Sequence, residues 1–482
     1  MRKLFKRLSV LFITIIILLT PIRVLAETPY EGYIWSNAGR DIESINGYLY
    51  EESIDGAYLS TGAFNGPEDI FITEDDSIYV VDTGNNRIVH LNENFEVINT
   101  IGDTEGPGML NGPKGVYVKE EDGTIYVADT KNQRIVIFDK DGNFLREMKA
   151  PESPLLGKNF TYSPSKLVVD KRDYLFVVSE GNTKGLMQID PEGEFKGFFG
   201  ANDVGFSLKR LIVQLIATED QEAKLESVQP LAFSNLDLDK DGFIYTTTLG
   251  TNENQIKRLS PVGVDTLNSE VNKYGDLENY GAYIENTAFI DLSVNDHGLI
   301  TAINLQTSRI YQYDRLGNLL FIFGGLGDQN GVFTTPSSIE QNSKGEVFVV
   351  DKGRNRVDVF RTTPFANLVH EASELYVQGR YEEAREIWEQ VIKLNGNYDI
   401  AYQAIGKALY RNEQYKEAME YFKLANSRSD YSEAFREYRV EFTRENFAWI
   451  FFGVILLFLF FKIGVPLLRK SIFRKKYSKK VG

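Results

Sequence analysis

One short pattern recurs along this chain and constrains its fold more than any other feature. "VVDTGNNRIVHL" begins at Val80, "VADTKNQRIVIF" at Val127 and "VVDKGRNRVDVF" at Val349. In each, an apolar run stops at an Asp, passes through a turn, meets an Arg five residues on and resumes. The pairs are Asp82 with Arg87, Asp129 with Arg134, and Asp351 with Arg356. Aligned on the Asp, the chain holds six units, with Ser179, Thr248 and Asn304 at the equivalent place of the other three. Self-similarity of this kind points to a repeat architecture before any single element is assigned.

Each unit opens with alternating apolar residues on both sides of a turn, as in "GVYVKEEDGTIYVAD", which reads as a hairpin. A third strand follows the Arg (Arg134–Phe138, Arg309–Tyr313), then a turn such as Asp141-Gly142-Asn143 and a fourth strand. The units recur every 47–56 residues in all intervals but one. Four strands at that period predict propeller blades, and six units an all-β six-bladed ring over residues 47–362. The sixth unit lacks a fourth strand. The spare strand Gly47–Ile54, ahead of the first unit, is expected to supply it and latch the ring without an open edge. In this frame the Asp and Arg flank the turn between second and third strands, where they bridge it and hold the register. The alternative is that these charges face a ligand.

The repeated residues resemble the NHL-repeat family of β-propellers, whose blades carry this apolar–Asp–turn–Asn–Arg–Ile pattern. "GPEDIFI…IYVVDTGNNRIVHL" and "GPKGVYV…IYVADTKNQRIVIF" match closely, "TPSSIEQ…VFVVDKGRNRVDVF" well, and "IDLSVNDHGLITAINLQTSRIYQY" more weakly. Units three and four depart from it: Ser179 with Lys184 replaces the ionic pair in one, and Thr248 lies in "TTTLGTNENQIKRL" in the other. The resemblance implies a fold and leaves function open, since propellers serve as binding modules, lyases and lactonases.

The first strand of each blade lines the central channel, so its opening residues form the hub: Asp69, Gly115, Lys166, Asn235, Asp291 and Ser338. Asp69, Asn235 and Asp291 offer oxygen ligands to a divalent cation, calcium or zinc. The resemblance to gluconolactonase-like propellers, which hold a central metal with Glu, Asn and Asp, implies the same. Lys166 argues the other way, because its ammonium neutralises an Asp directly. A hydrated channel with a Lys–Asp contact is the expectation, and no metal or cofactor is assigned. One interval, Ser179 to Thr248, is 69 residues long and contains "FSLKRLIVQLIATEDQEAKLESVQP". There Leu208, Leu211, Ile212, Leu215 and Ile216 follow helical spacing, predicting a helix across one face of the disc.

Other chemistry is largely excluded. The chain has no cysteine and three histidines in separate segments, so thiolate sites, His-rich zinc sites and Ser-His-Asp centres are not expected. It also lacks a phosphate loop, a GxSxG elbow and an HExxH motif.

The two ends suggest a compartment. "MRKLFKRLSVLFITIIILLTPIRVLA" (1–26) reads as a signal peptide, followed by a lead-in over 27–46. "FAWIFFGVILLFLFFKIGVPLL" (447–468) is long and apolar enough for one transmembrane helix, and the basic tail 469–482 belongs on the cytoplasmic side. These ends carry thirteen basic residues and no acidic one, so the formal charge of −15 leaves −28 on the body between them. Such a body repels nucleic acid. Between propeller and span, "GRYEEAREIWEQVIKLN" and "EQYKEAMEYFKLANS" match at a displacement of 34. Ala372 and Gly406, Tyr381 and Tyr415, and Ala384 and Ala418 correspond. This resembles two tetratricopeptide repeats over 367–430, with a capping helix over 431–446.

The expected function is that of a membrane-anchored, extracytoplasmic binding or scaffold protein, with propeller and helical repeats recognising a protein or ligand in an envelope complex beside a transporter. The alternative is a metal-dependent lactonase-like hydrolase or a lyase working from Asp69, Asn235 and Asp291.

Overall fold

A computed structural model describes residues 28–469, except 38, 158–159, 203–229, 252, 268–272, 277–278, 281–282 and 285–286. The signal-peptide segment, the basic tail beyond Arg469 and the Leu208–Ile216 stripe lie outside the described residues.

Alternation builds the blades. Second strands such as Ile78–Asp82, Ile125–Asp129 and Val347–Asp351 are buried along their whole length, because both faces pack against neighbouring blades. Six antiparallel sheets result, each led by an inner strand: Asp69–Ile72, Gly115–Val118, Pro164–Val169, Phe233–Leu238, Phe289–Val294 and Pro336–Gln341. Successive inner strands touch, and the last touches the first, so the ring closes. Closure follows the expected route. Tyr48–Asp55 pairs antiparallel with Arg356–Thr362 and completes blade six.

Two blades differ from the four-strand expectation. Among the described residues blade four has three strands, and an isolated bridge from Leu259 to Asp265 marks the place of the fourth. Blade five has six, because the lead-in forms strands Tyr33–Trp35 and Asp41–Glu43 that add to its outer edge. The lead-in thus covers an edge that would otherwise be open to pairing.

Six helices follow among the described residues: α1 (Pro364–Val377), α2 (Tyr381–Leu394), α3 (Asp399–Arg411), α4 (Tyr415–Leu424), α5 (Arg428–Glu445) and α6 (Phe447–Leu459). Thr363 follows the last blade strand and caps α1, its hydroxyl accepting from Ala366 N at 3.2 Å and donating to the Asn46 carbonyl at 2.9 Å. Pro364 in the first turn suits the start of a helix. Ala372, Ala384, Gly406 and Ala418 are buried where helices approach. A Cβ on Gly406 would come within 2.6 Å of the Phe422 ring, which explains why that position is small. Tyr381 and Tyr415 sit edge-on to Tyr376 and Tyr410, at 5.1 and 5.4 Å.

The helices are not a free stalk. Phe365, Trp388 and Tyr398 share one apolar core with Tyr48, Phe321 and Phe360 of the propeller, and Tyr398 donates to the Leu320 carbonyl at 2.8 Å. Burial on this scale makes propeller and helices one body. The helix Phe447–Arg469, 23 residues with an apolar window of which none is buried, is long and apolar enough to cross a membrane.

Candidate functional site

The repeated charges prove to be struts. Asp82 and Asp129 are fully buried and each takes the Nε of its Arg at 2.8 Å. Each also accepts a loop N–H at 2.7 Å, from Asn65 and Asn111. The arginines reach on to carbonyls of the same entering loops, Arg87 to Thr61 and Arg134 to Pro107 and Met109. The turns also stitch blades together, for Asn86 accepts from Gly112 N and Asn355 from Gly66 N, both at 2.7 Å. Asn86, Gln133 and Asn355 stand at φ of 56°, 55° and 55°, left-handed positions that Asn tolerates better than most side chains.

Blade six corrects the expectation for its pair. Asp351 and Arg356 face each other across the hairpin, yet Asp351 binds Arg354 at 2.6 Å and Arg356 binds Asp358 at 2.8 Å. Arg354 stands where blades one and two carry Asn85 and Asn132, each of which also donates to its Asp at 2.8 Å. Asp358, fully buried two residues beyond Arg356, then draws the second guanidinium. The strut survives with its partners exchanged.

The hub residues meet as expected and are committed to one another. Lys166 binds Asp69, which also accepts from Ser338 Oγ at 2.9 Å and from Val116 N of the next blade at 3.0 Å. Ser338 in turn accepts from Ile70 N at 3.3 Å. Asp291 receives the Asn235 amide together with Ile339 N at 2.9 Å and Leu292 N at 2.8 Å. Burial opposes the charge on Lys166, but Asp69 and Asp291 outweigh it and hold the ammonium above its ordinary pKa. Asn235 turns its amide nitrogen to Asp291 and its oxygen to Leu236 N. The set therefore offers a divalent cation no free cage of oxygens. Gly115 contributes only clearance, since a Cβ there would lie 2.3 Å from the Ser165 carbonyl oxygen. About 30 Å³ remains inside this part of the channel, room for about one water.

Two residues further along the inner strands the channel changes character. The side chains there are Phe71, Tyr117, Val168, Asp237, Ser293 and Glu340, three apolar and three polar, and the two acids were not among the expected site residues. Asp237 accepts from Val294 N and Leu238 N, both at 2.7 Å. Glu340 accepts from Ser293 Oγ and Gln341 N. Neither has a cationic partner among the described residues. Burial raises the Asp237 carboxyl to about 7, the backbone bonds opposing and Asp291 and Asp239 adding. Burial, with Asp237 beside it, lifts Glu340 well above the usual carboxylate range.

This tier opens into a cleft of about 750 Å³, ringed by the first hairpin turn of all six blades and walled on one side by α1. At the wall, His370 of α1 meets Gln312 Oε1 at 2.6 Å, and Gln312 Nε2 donates to Tyr48 Oη and Thr301 Oγ1. Burial holds the His370 pKa down at about 4, so the imidazole is neutral. Gln341 donates to the same Thr301 hydroxyl. Among the described residues no group of three or more His, Asp and Glu gathers at metal-holding distance.

A model of the NHL repeat matches residues 110–138. No curated protein matches the chain. A streptogramin B lyase structure aligns over 69% of this chain and 86% of its own, at 13% identity and a TM-score of 0.40. A virginiamycin B lyase from Staphylococcus aureus aligns over 66% and 100%, at 10% identity and 0.40. A protein of unknown function from Bacteroides thetaiotaomicron aligns over 67% and 80%, at 11% identity and 0.44. Similarity this low carries no chemistry across. The chain is a six-bladed β-propeller bearing the NHL repeat, followed by six helices of which the last is long and apolar enough to span a membrane.

Proposed function

We propose that this chain is a membrane-anchored binding or scaffold protein whose propeller–helix body works outside the cytoplasm, in an envelope complex beside a transporter. The observation that carries this reading is the cleft, where a helix of the repeat segment and the turns of six blades jointly enclose about 750 Å³ while the repeated charges and the hub are consumed by internal contacts. The 34-residue correspondence of the helix hairpins fits tetratricopeptide-like repeats, which bind peptides or proteins. Basic residues after the apolar helix favour a cytoplasmic tail, and the basic–apolar start favours export.

A photocrosslinking side chain at Glu371, on the cleft wall, tests the reading in intact cells. Discrete crosslinked species are expected there and absent from a probe at Glu105 on the opposite face. Crosslinks at neither position would remove the binding role. Protease added outside the cells is expected to digest the propeller and spare the tail, and protection of the whole chain would reverse the orientation. The hydrolase or lyase alternative draws its best support from Asp237 and Glu340, since carboxyls with raised pKa suit general acid–base work.

A further inference from the structure

Asparagine followed by glycine occurs five times, at Asn46, Asn65, Asn111, Asn330 and Asn395. In such a pair the backbone nitrogen after the asparagine is unhindered, since glycine has no Cβ, and it can close on the side-chain carbonyl carbon. By sequence the five stand equal. The fold separates them.

Four are protected. Gly66 and Gly112 donate their N–H groups to Asn355 and Asn86 Oδ1, both at 2.7 Å, so the bonds that stitch blade to blade also withhold the attacking nitrogen. Asn46 is half-buried, its Nδ2 donating to Thr28 Oγ1 at 3.0 Å and its Oδ1 sealed from solvent. Asn395 is held at both ends, donating to Ser44 Oγ at 3.0 Å and accepting from Asn397 N at 3.1 Å.

Asn330 has none of these restraints. Its side chain is exposed, in the connection between blades five and six. Gly331 is packed beneath it, where a Cβ would come within 3.1 Å of the Tyr30 ring and 3.2 Å of Tyr50 Cβ. Yet the Gly331 N–H has no acceptor among the described residues. Such an N–H is costly to keep, and ring closure removes it. Arg356 Nη2 donates to Asn330 Oδ1 at 3.0 Å, a cationic donor on the oxygen where negative charge develops as the carbonyl is attacked. The exchange of partners in blade six, where Asp351 takes Arg354, leaves Arg356 to do this.

We propose that Asn330–Gly331 is a self-modifying site that converts Asn330 to aspartate and isoaspartate. Gly331 N bonds to Asn330 Cγ and loses its proton to solvent hydroxide. The Cγ–Nδ2 bond breaks, and Nδ2 takes up a proton and leaves as ammonia, closing a cyclic imide. Water then opens the imide. Addition at Cγ gives aspartate, whose carboxylate faces Arg356, and addition at the main-chain carbonyl gives isoaspartate. Each turnover consumes one water and releases one ammonia, and nothing is oxidised or reduced. Isoaspartate reroutes the main chain through the side chain, in the turn whose Asp328 and Gln329 carbonyls receive Arg354 at 3.2 and 2.8 Å. Because Tyr50 belongs to the latch strand, the change falls on the seam where the ring closes.

The test holds the full chain in lipid nanodiscs in mildly alkaline buffer and follows all five sites by peptide mapping, with an isoaspartate-specific methyltransferase to mark the rearranged product. Asn330 is expected to convert at least about tenfold faster than Asn65 and Asn111, whose nitrogens must first break a hydrogen bond, while Asn46 and Asn395 remain amides. In denaturant the five rates should converge, which assigns the difference to the fold. Asn355→Gly keeps the left-handed turn and frees Gly66, so Asn65 should accelerate about tenfold. Arg356→Gln should slow Asn330 several-fold. If that variant loosens the ring, Asn46 and Asn395 will begin to convert, and Asn355→Gly then decides. The aged parent should melt below the fresh one, and aged Asn330→Gln should not. Conversion at Asn330 no faster than at Asn65 and Asn111, or an Asn65 that does not accelerate in Asn355→Gly, would each overturn the proposal. Equal melting of aged and fresh parent would overturn the effect on the seam.

Discussion

The two tiers of the channel contain the same kind of group and treat it in opposite ways. At the strand starts, Asp69 and Asp291 are buried, but Lys166, Asn235, Ser338 and backbone N–H groups from neighbouring blades surround them. At the next tier, Asp237 and Glu340 have backbone and hydroxyl donors and, among the described residues, no cation. Buried carboxylates are costly unless paired, so the first tier serves as a fastener for the ring. The second retains an unmet preference facing the cleft. Position along one strand thus separates carboxyls paired with a cation from carboxyls without one.

The largest effect should come from removing the fastener's cation. Lys166→Met leaves Asp69 and Asp291 without their countercharge and is expected to cost about 3–5 kcal/mol. Chemical denaturation of the full chain at neutral pH measures it. Burial already raises the Asp291 carboxyl to about 6, so its protonation should shrink the deficit as pH falls through that value. A variant that melts like the parent would show that the first tier is not held by charge, and the contrast between tiers would collapse.

Repetition decided what was legible in the sequence. Strand alternation, turn chemistry and the Asp–Arg spacing recur with each blade, so the ring, its latch and the struts of blades one and two could be read directly. Blade six misled because Arg354 occupies the Asn place and Asp358 adds a second acid, a local excess that spacing alone does not rank. Asp237 and Glu340 could have been found, since they stand two residues beyond Asn235 and Ser338 and a strand repeats its face with period two. The cleft could not. Its wall brings α1 against hairpin turns as far upstream as Thr73, and no local pattern encodes that docking.

A middle-sized effect would test whether the strut face is purely structural. Asp129→Ala removes the acceptor for Asn111 N, Asn132 and Arg134 at once. A loss of about 1–3 kcal/mol is expected, because Arg134 keeps Glu147 and two carbonyls and is not left stranded. Exchanging the charges, Asp129→Arg with Arg134→Asp, should recover part of it. Crosslinking from Glu371 should not change while the ring remains folded. Unchanged melting with binding lost would instead make the repeated charges a recognition surface and reverse the assignment of the two faces.

The smallest effect is a pH dependence, and its sign separates the tiers most cleanly. Asp237 and Glu340 have folded-state pKa values raised above those of the unfolded chain, Asp237 to about 7. Between the unfolded carboxylate range and those raised values the folded chain holds more protons than the unfolded one. Their contribution to stability is therefore full below the unfolded pKa and is lost as pH rises through the folded one. Converting both to amides, Asp237→Asn with Glu340→Gln, removes the titration while keeping an oxygen for Val294 N and Ser293 Oγ to bond. At pH 4 parent and variant should melt alike. By pH 8 the variant should be the more stable by about 1 kcal/mol, the order of one pKa unit. A variant less stable than the parent at pH 8 would mean that both carboxylates are already compensated when ionised, and the two tiers would then be alike.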